Sequence, residues 1–188
     1  MFCAAESRRF ESADFVARNP SGRSTAQADA GSPDHFLRAE GPLVPKDAVA
    51  GLLVLEDGRY VMQLRDALPD IFYPDHWGCF GGAVDAGESP LEALRRELRE
   101  ELEYELDTAS EFTRFDFDFS RLGQRKVSRF YYEVRVRQEA FLRFVLHEGA
   151  DMQPLSGSDL LVGRKTTPYD AFAIWMHMSK RRFISAPR

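Results

Sequence analysis

Glu97, Glu100 and Glu101 stand within two turns of one predicted helix, in the stretch GAVDAGESPLEALRRELREELEY from Gly82 to Tyr104. At about 100° per residue their carboxylates fall on one side of that helix, within roughly 50° of their mean direction. Glu97–Glu100 and Glu97–Glu101 are like-charge pairs at i,i+3 and i,i+4, each costing about 0.2–0.5 kcal/mol on a free helix surface. A cation seated on the cluster would turn that repulsion into attraction. An all-oxygen, charged donor set suits a hard ion, Mg²⁺ or Mn²⁺, better than zinc.

The elements around this stretch follow from apolar patterning. AVAGLLVL (Ala48–Leu55), a Glu56-Asp57-Gly58 turn and RYVMQL (Arg59–Leu64) predict a β-hairpin. A loop through Pro69 and Pro74 leads to HWGCFGGAV (His76–Val84), a strand running into a glycine-rich turn. Ser89 is the predicted N-cap and Pro90 falls in the first helical turn, where a missing N–H costs little. The helix extends to about Glu103, with Leu91, Leu94, Leu98 and Leu102 as its apolar stripe, roughly 110° from the glutamates. One side therefore packs on a sheet while the adjacent side presents carboxylates. FTRFDFDFS (Phe112–Ser120) and KVSRFYYEVRV (Lys126–Val136) predict an antiparallel pair. HEGADMQPLSGSD reads as loop, and Pro168 to about Lys180 as a closing helix. The order of elements predicts a mixed sheet between helices.

The whole chain bounds the class. Its 188 residues suit one domain with a tail, and 44% apolar with 29% charged residues suit a soluble globular protein. A net charge of −5 argues against nucleic-acid binding, while a bound metal would still admit small anionic substrates. Cys3 and Cys79 lack metal-site or disulfide-framework spacing, and no apolar run spans a bilayer, so a cytoplasmic protein with no membrane partner is expected. Residues 1–45, rich in Ala, Ser, Gly, Asp and Arg, read as a flexible N-terminal arm, leaving 46–188 as the folded domain.

The spacing Gly82, five residues, Glu88, seven residues, then Arg96-Glu97-Leu98-Arg99-Glu100-Glu101 resembles the Nudix box, GX5EX7REUXEEXGU. The match departs at Glu103, where the family has Gly, and at Tyr104, where an aliphatic residue is usual. The resemblance implies an α/β/α sandwich with a mixed sheet, and a hydrolase that cleaves the diphosphate of a nucleoside diphosphate derivative by water attack on phosphorus. It implies that Glu97 and Glu101 hold Mg²⁺ or Mn²⁺, with Glu100 beside them and the Gly82 carbonyl as a further ligand. Arg96 would hold the glutamates in place, and Glu88 would anchor the box loop to the helix through that arginine. The general base in the family is either a box glutamate or an acid from a later loop, here Glu148 or Asp151. Many members form homodimers, so the resemblance admits one here.

Plainer readings compete at several positions. Glu92–Arg96, Arg96–Glu100 and Arg99–Glu103 have the spacing of ordinary surface ion pairs. Arg65 suits a phosphate contact or a solvated surface, and Trp77 a packing role or a stacking platform for substrate. Glu103 either adopts a positive φ at about 1 kcal/mol or lets the helix run on. Nucleotide sugars and ADP-ribose are the favoured substrates, ahead of oxidised nucleoside triphosphates. A catalytically silent nucleotide sensor is the alternative from another class.

Overall fold

The structure is a computed structural model of the chain and describes residues 44–68 and 71–184. The arm assigned to 1–45 lies outside the described residues apart from Val44 and Pro45.

Strands β1 (Ala48–Leu55) and β2 (Tyr60–Leu64) form the predicted hairpin, its turn closed by Gly58 N–H to Leu55 O at 2.9 Å. β3 is shorter than its sequence suggested, only Trp77–Gly78, because the chain then leaves β2 and runs beside the first half of β1. Two isolated bridges, Gly51 to Phe80 and Ala48 to Ala83, hold it there. Helix α1 (Pro90–Leu102) follows, then β4 (Ser110–Asp118), β5 (Lys126–Val136) and a single turn of helix, α2 (Gln138–Phe141). The segment expected as loop contains a further strand, β6 (Asp151–Leu155). It pairs antiparallel with β2 at the sheet margin, where Pro154 is tolerated for want of a second neighbour. Helix α3 (Pro168–Met178) runs as predicted, followed by α4 (Lys180–Ile184).

The sheet order is β3-β2-β1-β5-β4 with β6 also on β2, and β1–β5 is its parallel pair. Alternation along β1 splits the core between two faces. Val49, Leu53 and Leu55 meet Ala93, Leu94, Leu98 and Leu102 of α1. Ala50, Leu52 and Val54 meet Ala173 and Ile174 of α3. The mixed sheet thus lies between helices, as expected.

The second face also buries a polar knot. The Asp170 carboxylate, 1% exposed, accepts from the Cys79 N–H (2.9 Å), Thr167 Oγ1 (2.7 Å), Tyr131 OH (2.7 Å) and Arg129 Nη2 (3.2 Å). With so many donors the buried charge is compensated, and the knot ties α3 to β5 and to the residue that follows β3.

Candidate active site

Three features bring the acidic face of α1 against the glycine-rich turn. Ser89 and Glu92 form a reciprocal capping box at the helix start, which is why Glu92 does not pair with Arg96. The leucine stripe then presses the helix onto β1. The turn itself is held to β1 by Gly51 N–H to Phe80 O, Val49 N–H to Gly82 O and Val84 N–H to Asp47 O, each 2.9 Å.

The two glycines of the turn are packed differently, Gly81 against backbone and Gly82 against a side chain. Gly81 has φ 130°, and a Cβ there would lie 2.3 Å from the Val49 carbonyl oxygen. A Cβ on Gly82 would lie 2.3 Å from Glu97 Oε1. Glu97 therefore rests directly on bare backbone, and the Gly81 N–H donates to Glu101 Oε2 at 3.1 Å.

The three box glutamates differ sharply in surroundings. Glu101 is 4% exposed, Glu97 has 14% of its side chain exposed and Glu100 has 60%. Burial pushes the Glu101 carboxyl well above the ordinary value, and the charges of Glu148 and Glu97 push it further. The Gly81 hydrogen bond and the charge of Arg65 work the other way. Glu97 is also raised, by burial first, then by Glu100 and Glu148 against the opposing pull of Arg96.

Arg96 is the clamp of the site. Its Nε and Nη2 grip Glu88 at 3.1 and 3.0 Å, a bidentate pairing. Nη2 also donates to Ala83 O (3.0 Å), and Nη1 to Glu97 Oε1 (2.7 Å) and Glu100 Oε2 (3.5 Å). That arginine holds Glu88 below the usual carboxylate range. Arg99 turns instead to Glu105, at 2.6 Å, leaving Glu103 free of it.

Glu148 and Asp151, the two later acids, are separated by the fold. Asp151 is occupied locally by the Met152 N–H (2.7 Å) and Gln153 Nε2 (2.6 Å). Glu148 is exposed, and its charge bears on both Glu97 and Glu101. Its backbone carbonyl accepts Gln63 Nε2 at 2.8 Å. Arg65 donates its Nε to Phe72 O at 2.8 Å and bears on Glu101 by charge. Trp77 is 5% exposed in the second core cluster with the Arg164 guanidinium 5.6 Å from its ring centroid, which leaves it the packing role.

Glu103 ends the helix with φ 53° and ψ 31°, so the left-handed alternative holds. That conformation costs a non-glycine residue about 1 kcal/mol. Its Oε1 lies 2.7 Å from His147 Nε2, with the two side chains 59% and 38% exposed. A contact so exposed returns only about 0–1 kcal/mol. The sequence signals this contact only through the glutamate at the box's glycine position, and carries no signal of the Ala83 and Gly81 backbone contacts.

Among the described residues no three His, Cys, Asp or Glu side chains stand ready-made around a metal ion. The donor chemistry nevertheless suits a hard cation. Glu97, Glu101 and Glu148 repel one another, Glu97 lies against the Gly82 backbone, and Glu97 is turned to Arg96. A cavity of about 580 Å³ lies elsewhere, between the ends of β1 and β5 and the segment after α1, lined by Tyr104, Arg137 and Arg143 among others.

A sequence profile described as NUDIX domain matches residues 44–176. The nucleoside triphosphatase NudI of Shigella flexneri is 44% identical over 50 residues, 27% of this chain. The match spans 35% of that protein, about a third of the length of the curated relatives. The MutT protein of Methanosarcina mazei Go1 has the same fold, with TM-score 0.58 and 19% identity over 76% of this chain and 99% of that one. The E. coli ORF135 protein gives TM-score 0.57 and 25% identity over 78% and 100%.

Proposed function

The chain belongs to the Nudix family, and from that membership we propose that it is a divalent-cation-dependent pyrophosphohydrolase of nucleoside diphosphate derivatives. The observation that carries this reading is Glu101: a buried carboxylate, raised by burial and by two neighbouring carboxylates, with a backbone N–H as its hydrogen-bond donor. Nudix hydrolases generally use divalent cations, and Mg²⁺ or Mn²⁺ fits this oxygen-only donor set. Glu97 and Glu101 would hold it, with Glu100 beside them. The Gly82 carbonyl, which accepts the Val49 N–H at 2.9 Å, has a second lone pair to offer. When bound, such a cation neutralises the diphosphate and favours ionisation of water.

The chain's own groups do the rest. Arg96 fixes Glu97 through its bond to Oε1, and Glu88 fixes Arg96. Arg65 offers positive charge toward the diphosphate. Glu148 takes a proton from the attacking water as its oxygen bonds to phosphorus and the bridging P–O bond breaks. The bridging oxygen leaves with the second phosphoryl group, giving a nucleoside monophosphate and a phosphorylated X group.

A second reading takes nucleoside triphosphates as substrates, favoured by the 50-residue match to a nucleoside triphosphatase. The test is a panel of ADP-ribose, UDP-glucose, dGTP and 8-oxo-dGTP, incubated with Mg²⁺, Mn²⁺ or EDTA and resolved by chromatography. Cation-dependent release of monophosphate from a diphosphate-linked member is the expected result. Cleavage of triphosphates alone would replace the first reading with the second. Binding without cleavage of any member would support a nucleotide-binding module instead.

A further inference from the structure

Residue 103 pairs backbone strain with a poor energetic return. Glu103 holds a left-handed conformation that glycine would adopt freely, and its side chain makes an exposed contact with His147. Stability alone does not account for glutamate there, but the location of His147 does. The His147 N–H donates to Glu101 O at 2.9 Å, and the Val145 N–H to Leu102 O at 3.2 Å. The residue after His147 is Glu148. On its far side Gly149 has φ 89° with its Cα packed where a Cβ would meet Gln63 Cγ at 2.6 Å, and the Ala150 N–H donates to Leu64 O at 2.8 Å. Glu148 is therefore strung between two anchors, the end of α1 and the end of β2. The β2 anchor combines the Ala150 backbone bond with the Gln63 side chain, whose Nε2 donates to Glu148 O at 2.8 Å. The α1 anchor is made by two backbone bonds, and among the described residues the Glu103 carboxylate is the side chain that adds to them.

We propose that Glu103 and His147 are positioning residues: their contact straps the loop bearing Glu148 to the end of the metal-binding helix and so holds Glu148 over Glu97 and Glu101. This rests on the preceding reading that Glu148 acts at that site. Because the strap opposes the local backbone preference at residue 103, its removal should separate activity from stability. A merely structural contact would move both together.

The experiment compares Glu103→Gly, Glu103→Gln, His147→Ala and the double variant Glu103→Gly/His147→Ala, using whichever panel member the wild type cleaves, with Mg²⁺. Glu103→Gly is expected to keep or raise Tm while kcat falls about tenfold with little change in KM, the cost of a misplaced group. Glu103→Gln keeps an oxygen that accepts from His147 and should recover kcat to within about twofold of wild type, since the hydrogen bond rather than the charge is the tie. The double variant should be no slower than the worse single one, as expected for two ends of one contact. Amide exchange of His147, a readout independent of turnover, should quicken in Glu103→Gly and His147→Ala and not in Glu103→Gln. Wild-type kcat and unchanged exchange in Glu103→Gly would overturn the strap, as would losses that track Tm or multiply in the double variant. If the wild type cleaves nothing in the panel, the hydrolase reading fails, and the exchange data still decide whether the strap exists.

Discussion

Replacing Glu101 by Gln removes a buried charge while keeping volume and an acceptor for the Gly81 N–H, 3.1 Å away. The Glu101 carboxyl is raised by burial first, then by Glu148 and Glu97. A carboxyl raised in the fold supports it fully below the unfolded value, 4.5, and that support is lost as pH rises through the folded value. At pH 8 without divalent cation the unfolded carboxyl is ionised and the fold opposes that ionisation, a burden on the wild type of about 1–3 kcal/mol. At about 2–4 °C per kcal/mol for a chain of this size, the Gln variant should melt roughly 3–10 °C higher in EDTA. Saturating Mg²⁺ should stabilise the wild type by about 2.7 kcal/mol at one hundred times Kd, and the variant much less. Turnover should fall about 100-fold or more, as on loss of a group stabilising transition-state charge. Melts in EDTA and in MgCl₂ from pH 4.5 to 8, with turnover at pH 8, make the test. A variant that melts below the wild type in EDTA at pH 8, or that stays fully active, refutes the reasoning.

The paired glycines should respond differently to Ala: Gly82→Ala displaces the flexible Glu97 carboxylate, so turnover drops about tenfold or more at little cost in Tm. Gly81→Ala drives a Cβ into the Val49 carbonyl at a positive φ and should lose about 1–3 kcal/mol in denaturant unfolding. Glu148→Gln should lower kcat about 100-fold, whereas Asp151→Asn, already occupied by Met152 and Gln153, should leave it within about threefold. Glu133 is raised by burial but held at about 2 overall by Lys180 and His177. Its support for the fold, about 1–2 kcal/mol after solvent screening, is present above pH 4.5 and lost as pH falls toward 2. Glu133→Gln should therefore flatten the decline of Tm across that interval.

The box, the capping residues, the hairpin and the two faces of α1 were legible in the chain because each depends on the repeat of a local backbone geometry. Ser89 caps the first turn, and the leucines spaced along α1 line up, whatever the remainder of the fold does, whereas Glu92 has the spacing of a partner for Arg96 and closes the capping box instead. β6 escaped because a five-residue strand carrying Pro154 has no periodic signature, and only β2 beside it makes it a strand. Spacing also presented Glu97, Glu100 and Glu101 as equals. The packing of α1 on the glycine turn ranked them, burying Glu101 and leaving Glu100 in solvent. That the charge of Glu148 bears on Glu97 and Glu101 while Asp151 is occupied locally, and that His147 is the partner of Glu103, likewise came from tertiary contact. Charge coupling and burial depend on distance through space, which residue order along the chain does not encode. Which carboxylates share one side of α1 was written in the helix repeat; which of them feel one another was decided when β2, α1 and the 147–150 loop closed together.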